Sequence, residues 1–80
     1  MMYKISFVEN PDTDIEETNV LGLVDSDDIY DAYMFIANFA HEHGWINCFM
    51  IPCQDDEDDD LMYVDILTVH HYFVIEKLFN

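Results

Sequence analysis

Seven residues, Gln54-Asp55-Asp56-Glu57-Asp58-Asp59-Asp60, set the terms on which this chain can fold. Six consecutive carboxylates lie between the apolar runs Ile46 to Cys53 and Leu61 to Val69, with no basic residue among them. Two unit charges about 6 Å apart repel by roughly 0.7 kcal/mol in water. The cluster therefore costs the folded state on the order of a few kcal/mol, against a total stability of roughly 5–15 kcal/mol. It has to stand in solvent, and the runs on either side have to be elements that leave it there. Two strands joined by a loop of this length form an antiparallel hairpin, with the acidic run as its tip.

The rest of the composition says what such a tip is attached to. Eighty residues make one domain, 1–80, with room for a single core. With 51% hydrophobic and 15% aromatic residues the chain is apolar enough to fold despite a net charge of −16. Lys4 and Lys77 are its only basic residues, so 18 acids cannot be answered by internal ion pairs. A surface this negative repels nucleic-acid backbones and anionic membranes and draws in basic partners by salt-sensitive steering. Neither direct nucleic-acid binding nor membrane binding is expected.

Cys48 and Cys53, read as members of one strand, would lie about 16 Å apart along it, beyond disulfide reach. They are expected as free thiols of a reducing, intracellular protein. The N-terminal residues lack the longer apolar core of a signal peptide and no apolar run is long enough to span a membrane, so the expected location is the cytoplasm.

Along the chain, Tyr3 to Glu9 alternates as a strand and stops at the turn signal Asn10-Pro11-Asp12. Thr18 to Val24 reads as a second strand, antiparallel to the first. Asp25-Ser26-Asp27-Asp28 offers caps and first-turn negative charge for a helix that runs to His43 and stops at Gly44. Ile29, Tyr33, Ile36 and Ala40 form its apolar stripe, widened by Ala32, Phe35 and Phe39. Trp45 to Cys53 and Leu61 to Val69 read as the third and fourth strands. The tail His70 to Asn80 fits either a helix capped by Thr68 or a fifth strand, with the helix slightly favoured. The expected fold is a small α+β domain, ββαββ plus a C-terminal helix or strand, its antiparallel sheet packed on one main helix.

Catalytic and metal patterns fail on inspection. An EF-hand loop starting at Asp55 would need Gly where Asp60 stands and Glu where Ile66 stands. His41, His43, His70 and His71 with Cys48 and Cys53 have no zinc-ligand spacing. There is no phosphate-binding glycine loop and no nucleophile elbow, and Asp65 is expected on the solvent side of its strand rather than in a pocket. No catalytic residue, metal or cofactor is expected.

The acids themselves remain. They gather at Asp12, Asp14, Glu16 and Glu17 in the first connection, at Asp25, Asp27, Asp28 and Asp31 at the helix start, and at Asp55, Asp56, Glu57, Asp58, Asp59 and Asp60 at the hairpin tip. Carboxylates about 6 Å apart on a helix or an extended segment approximate the spacing of phosphates along a DNA strand. A role in solubility or in high salt needs charge alone, whereas clustering with almost no Lys or Arg favours an electrostatic copy. On Asp25 to Asp31 and Asp55 to Asp60 the chain is similar in kind to small acidic DNA mimics, such as phage anti-restriction and anti-CRISPR proteins, a functional class without one fold or motif. The resemblance implies stoichiometric inhibition of a nuclease or other DNA-binding complex by occupation of its basic nucleic-acid site, by a monomer or homodimer. The alternative is a non-inhibitory acidic module docking on a basic protein.

Overall fold

The computed structural model of the 80-residue chain describes residues 1–9, 17–45, 50–66 and 71–79. The elements in chain order are strands β1 (Met2–Glu9) and β2 (Glu17–Asp25), helix α1 (Tyr30–Glu42), and strands β3 (Ile51–Gln54), β4 (Leu61–Asp65) and β5 (His71–Phe79). All neighbouring strands are antiparallel, in the spatial order β2-β1-β5-β4-β3. A small α+β domain with an antiparallel sheet and one helix is what the sequence leads one to expect, but the tail is a strand and not the favoured helix.

That correction matters because β5 is the middle of the sheet. It pairs with β1 through Ile5↔Ile75 and Phe7↔Phe73, and with β4 through Met62↔Ile75 and Val64↔Phe73. Phe73 and Ile75 are fully buried. A segment flanked on both sides by strands makes two ladders of backbone hydrogen bonds, which a terminal helix would leave unmade. The helical reading of Tyr72, Ile75 and Phe79 rested on spacing alone, and the apolar run Tyr72-Phe73-Val74-Ile75 outweighs it once two partners are present.

The helix joins one edge strand, β2, to the other, β3, and so must cross the sheet. Ala32, Ile36 and Ala40, four residues apart, face straight down and are buried. They sit in one cluster with Tyr3, Ile5 and Phe7 of β1, Phe73 and Ile75 of β5, and Val64 and Ile66 at β4. To one side, the Tyr33 hydroxyl meets Met62 Sδ of β4 at 2.8 Å. To the other, Phe35 lies on Gly22 of β2, where a Cβ would come within 3.2 Å of the ring. Small residues thus set the height of the helix above the sheet at both its axis and its flank.

Trp45, expected to open the third strand, lies outside it. It closes the far end of the core, stacked on Phe7 (5.7 Å between centroids) and on His71 (4.9 Å). Phe39 and Phe73 complete this aromatic group. The turn at Asn10-Pro11-Asp12, Cys48, Thr68 and His70 lie outside the described residues, and Cys53 is an exposed free thiol.

Two substitutions test this packing. Gly22→Val puts branched carbon against Phe35 and is expected to lower stability by about 1–3 kcal/mol, the usual cost of overpacking. Phe73→Ala empties the middle of the sheet and is expected to cost about 3–5 kcal/mol. Urea unfolding followed by circular dichroism measures both, and a loss under 1 kcal/mol at Phe73 would be incompatible with a central β5.

Candidate partner-binding site at the acidic end

The first acidic cluster is fixed where β2 hands over to the helix. The Ser26 amide donates to the Met1 carbonyl at 3.0 Å, which ties the end of β2 to the start of β1. The Asp28 amide donates to Ser26 Oγ at 3.1 Å, and the Tyr30 amide donates to Asp28 Oδ1 at 2.9 Å. A side-chain acceptor at this point satisfies an amide that the first helical turn would leave open. The Ser26 hydroxyl in turn donates to Asp31 Oδ2, in the turn where the helix dipole favours negative charge. Asp25 and Asp27 are exposed, each with an Oδ1 3.9 Å from the Met1 amino group.

The second cluster is a folded loop and not a loose string of charge. Asp55 Oδ1 accepts from the Glu57 amide (2.8 Å) and the Asp58 amide (3.0 Å), and Oδ2 accepts from the Tyr63 hydroxyl (2.9 Å). Asp58 Oδ1 accepts from the Asp60 amide at 2.9 Å. Across the mouth, Gln54 Nε2 donates to the carbonyls of Asp58, Asp59 and Leu61. Asp55 spends both carboxylate oxygens and Asp58 one within the loop; Asp55 is half-buried, and Asp56, Glu57, Asp58, Asp59 and Asp60 are exposed. Sequence reading treated all six as equivalent contacts. The signal it passed over is a pair of Asp residues each two positions before an amide that needs an acceptor, with Tyr63 one strand pair away.

Strand pairing then brings the two clusters to the same end of the sheet. Met2 pairs with Asp25 on one side of β1, and Lys4 with Glu76, which in turn pairs with Leu61, on the other. The Lys77 amide donates to the Asp60 carbonyl at 2.8 Å, fastening the tip to β5. A cleft of about 50 Å³ is lined by Ile29 of the helix start, Asp59 and Asp60 of the tip, and Lys77 between them. Ten acids more than twenty residues apart in the chain, Asp25 to Asp31 and Asp55 to Asp60, thus share one pole. Tyr30, 60% exposed, stands among them as an apolar contact.

The third cluster does not join them. Glu17 pairs with Glu9 at the opposite end of β1. Asp12, Asp14 and Glu16 lie outside the described residues. The helix C-terminus lies at that same far end, where the His43 Nδ1–H donates to the Phe39 carbonyl at 2.9 Å. Asp65 is exposed at the end of β4. Among the described residues no group of three or more His, Cys, Asp or Glu is placed to hold a metal ion, and no helix is long and apolar enough to cross a membrane.

The Asp55–Tyr63 contact has a defined pH window. Hydrogen bonds from the Glu57 amide, the Tyr63 hydroxyl and the Asp58 amide hold the Asp55 carboxyl below its ordinary 3.8. The same bond to Asp55 pushes the Tyr63 phenol above its ordinary 10.0. A depressed carboxyl contributes stability above 3.8 that is lost as pH falls through its folded value, and a raised phenol contributes below 10.0 what is lost as pH rises through its folded value. In Tyr63→Phe the Asp55 carboxyl is expected to titrate nearer the ordinary value, read by carbon-detected NMR. An unchanged titration would mean that the bond is absent in solution.

No family model matches the chain, and neither a curated protein nor a solved structure matches it.

Proposed function

We propose that the protein is an acidic DNA mimic that occupies the basic nucleic-acid site of a nuclease or other DNA-binding complex, of the restriction or CRISPR type. The single observation that supports this reading is the convergence of the helix-start and hairpin-tip carboxylates on one pole, with Asp25 and Asp27 on one side and Asp56, Glu57, Asp59 and Asp60 on the other. Charge spread for solubility has no need of such a pole.

On this reading the protein acts by binding and performs no catalysis. The free carboxylates pair with Lys and Arg of the partner, and Tyr30 adds apolar contact at the centre of the footprint. Long-range attraction sets a fast, salt-dependent association, and local packing sets the lifetime of the complex. Asp55 and Asp58 act by holding the loop in shape. Locally ordered carboxylates lose little freedom on binding, which favours affinity.

The test is competition on a panel of bacterial DNA-cleaving complexes, using fluorescent duplex DNA as the displaced probe. The wild-type protein is expected to displace DNA from its target at stoichiometric concentration, and less well as salt rises. A variant with Asp56, Asp59 and Asp60 changed to Asn and Glu57 to Gln loses four surface charge pairs of about 0.2–1 kcal/mol each, which weakens displacement by roughly 4- to 700-fold. Its unfolding midpoint should be unchanged or higher, since repulsion is relieved. If partner, DNA and protein form a ternary complex instead, the protein is an adaptor on a basic partner and not a mimic.

A further inference from the structure

The two edges of the sheet differ in kind. Among the described residues β2 pairs with β1 alone and β3 with β4 alone. β3 has four residues with Pro52 among them, an edge that offers little to a further strand. β2 has nine residues, no Pro and no Lys, and no charged residue across 18–24. Proline, lysine and inward-pointing charge are the usual means of keeping a long edge from pairing, and β2 has none of them within that run. Alternate residues of such a strand point their backbone N–H and C=O groups away from β1, toward water or a further strand. Val20 (60% exposed) and Leu23 (57%) stand open beside them. A bulge at Leu21, between the pairs Ser6↔Val20 and Ile5↔Gly22, adds local twist. A twisted edge is followed more easily by a free extended segment than by the edge of another rigid sheet.

Charge selects the occupant. A second copy would set β2 against β2 about a two-fold axis, hence antiparallel. Centred on Leu21, that pairing puts Glu17 of each copy opposite Asp25 of the other, between two molecules of net charge −16. A basic segment meets the reverse situation. Glu17 and Asp25 stand eight residues apart, roughly 27 Å along the strand at about 3.4 Å each, and exposed Asp27 lies just beyond Asp25. A segment of the same length with a cation at each end finds an acid at each end.

We propose that the outer edge of β2 takes up an extended segment of a partner protein as a sixth strand, its sequence a short run of Val, Ile or Thr flanked by Lys or Arg. Main-chain hydrogen bonds to residues 18–24 hold it, Val20 and Leu23 favour β-branched or apolar side chains next to them, and the acids at the ends of β2 set its charge. The edge goes beyond the proposed inhibitory role and does not depend on it, because a ladder uses backbone groups that a copy of DNA does not need.

The test is a titration of the whole chain with a synthetic peptide matched to the nine residues of β2, lysine at each end and threonine alternating with valine between. Amide chemical shifts are expected to move along 17–25 and to stay fixed along 51–54. The same peptide N-methylated at every threonine and valine keeps its charge and cannot form the ladder, and is expected to bind about tenfold or more weakly. A version with glutamate at each end is expected to weaken by a similar factor. Shifts confined to the acidic tip, 55–60, would overturn the inference, as would undiminished binding of the N-methylated peptide, since charge alone would then explain the association. Displacement of DNA is read in a separate assay, so either reading can fail alone.

Discussion

The position of β5 is the constraint on which the rest of the structure depends. Without it the chain holds two separate hairpins, β1–β2 and β3–β4, each carrying one acidic cluster and neither able to cover the helix alone. An isolated two-stranded hairpin is marginal in water. By inserting between β1 and β4, β5 completes the floor under Ala32, Ile36 and Ala40 with Phe73 and Ile75. The same register sets Leu61 level with Glu76 and Lys4, and so sets the acidic tip level with the start of the helix. Core formation and charge placement follow from one pairing.

Given that pairing, the chain faces an electrostatic problem that packing cannot solve. Eighteen acids and two lysines leave no scope for neutralisation. Lys4 is engaged with Glu76, and the groups nearest the acidic pole are the Met1 amino group and Lys77. Two things make the crowded tip tolerable. The charges stand in water at the ends of strands, where screening is strongest, and the backbone amides of Glu57, Asp58 and Asp60 turn inward onto Asp55 and Asp58. Oriented amides supply partial positive charge where no cation is available.

The helix was legible in the sequence because its signals are local. Of the Asp25 to Asp28 stretch only Asp28 reaches a helix amide, that of Tyr30, while the N-cap position falls on Ile29 without a side-chain cap, and Gly44 with its positive φ of 80° follows the last turn. The β3–β4 hairpin was legible because the acidic run forces the turn. The tail was not, since a strand buried between two others loses its alternation and a four-residue apolar run suits both structures. Nor was the convergence of the clusters, because no residue of either encodes the pairing order, which rests on Phe73 and Ile75 finding Phe7, Ile5, Val64 and Met62. Among the described residues β3 begins at Ile51, with Trp45 and Met50 outside it, and Pro52, which cannot donate to a ladder, fits its place as an edge strand.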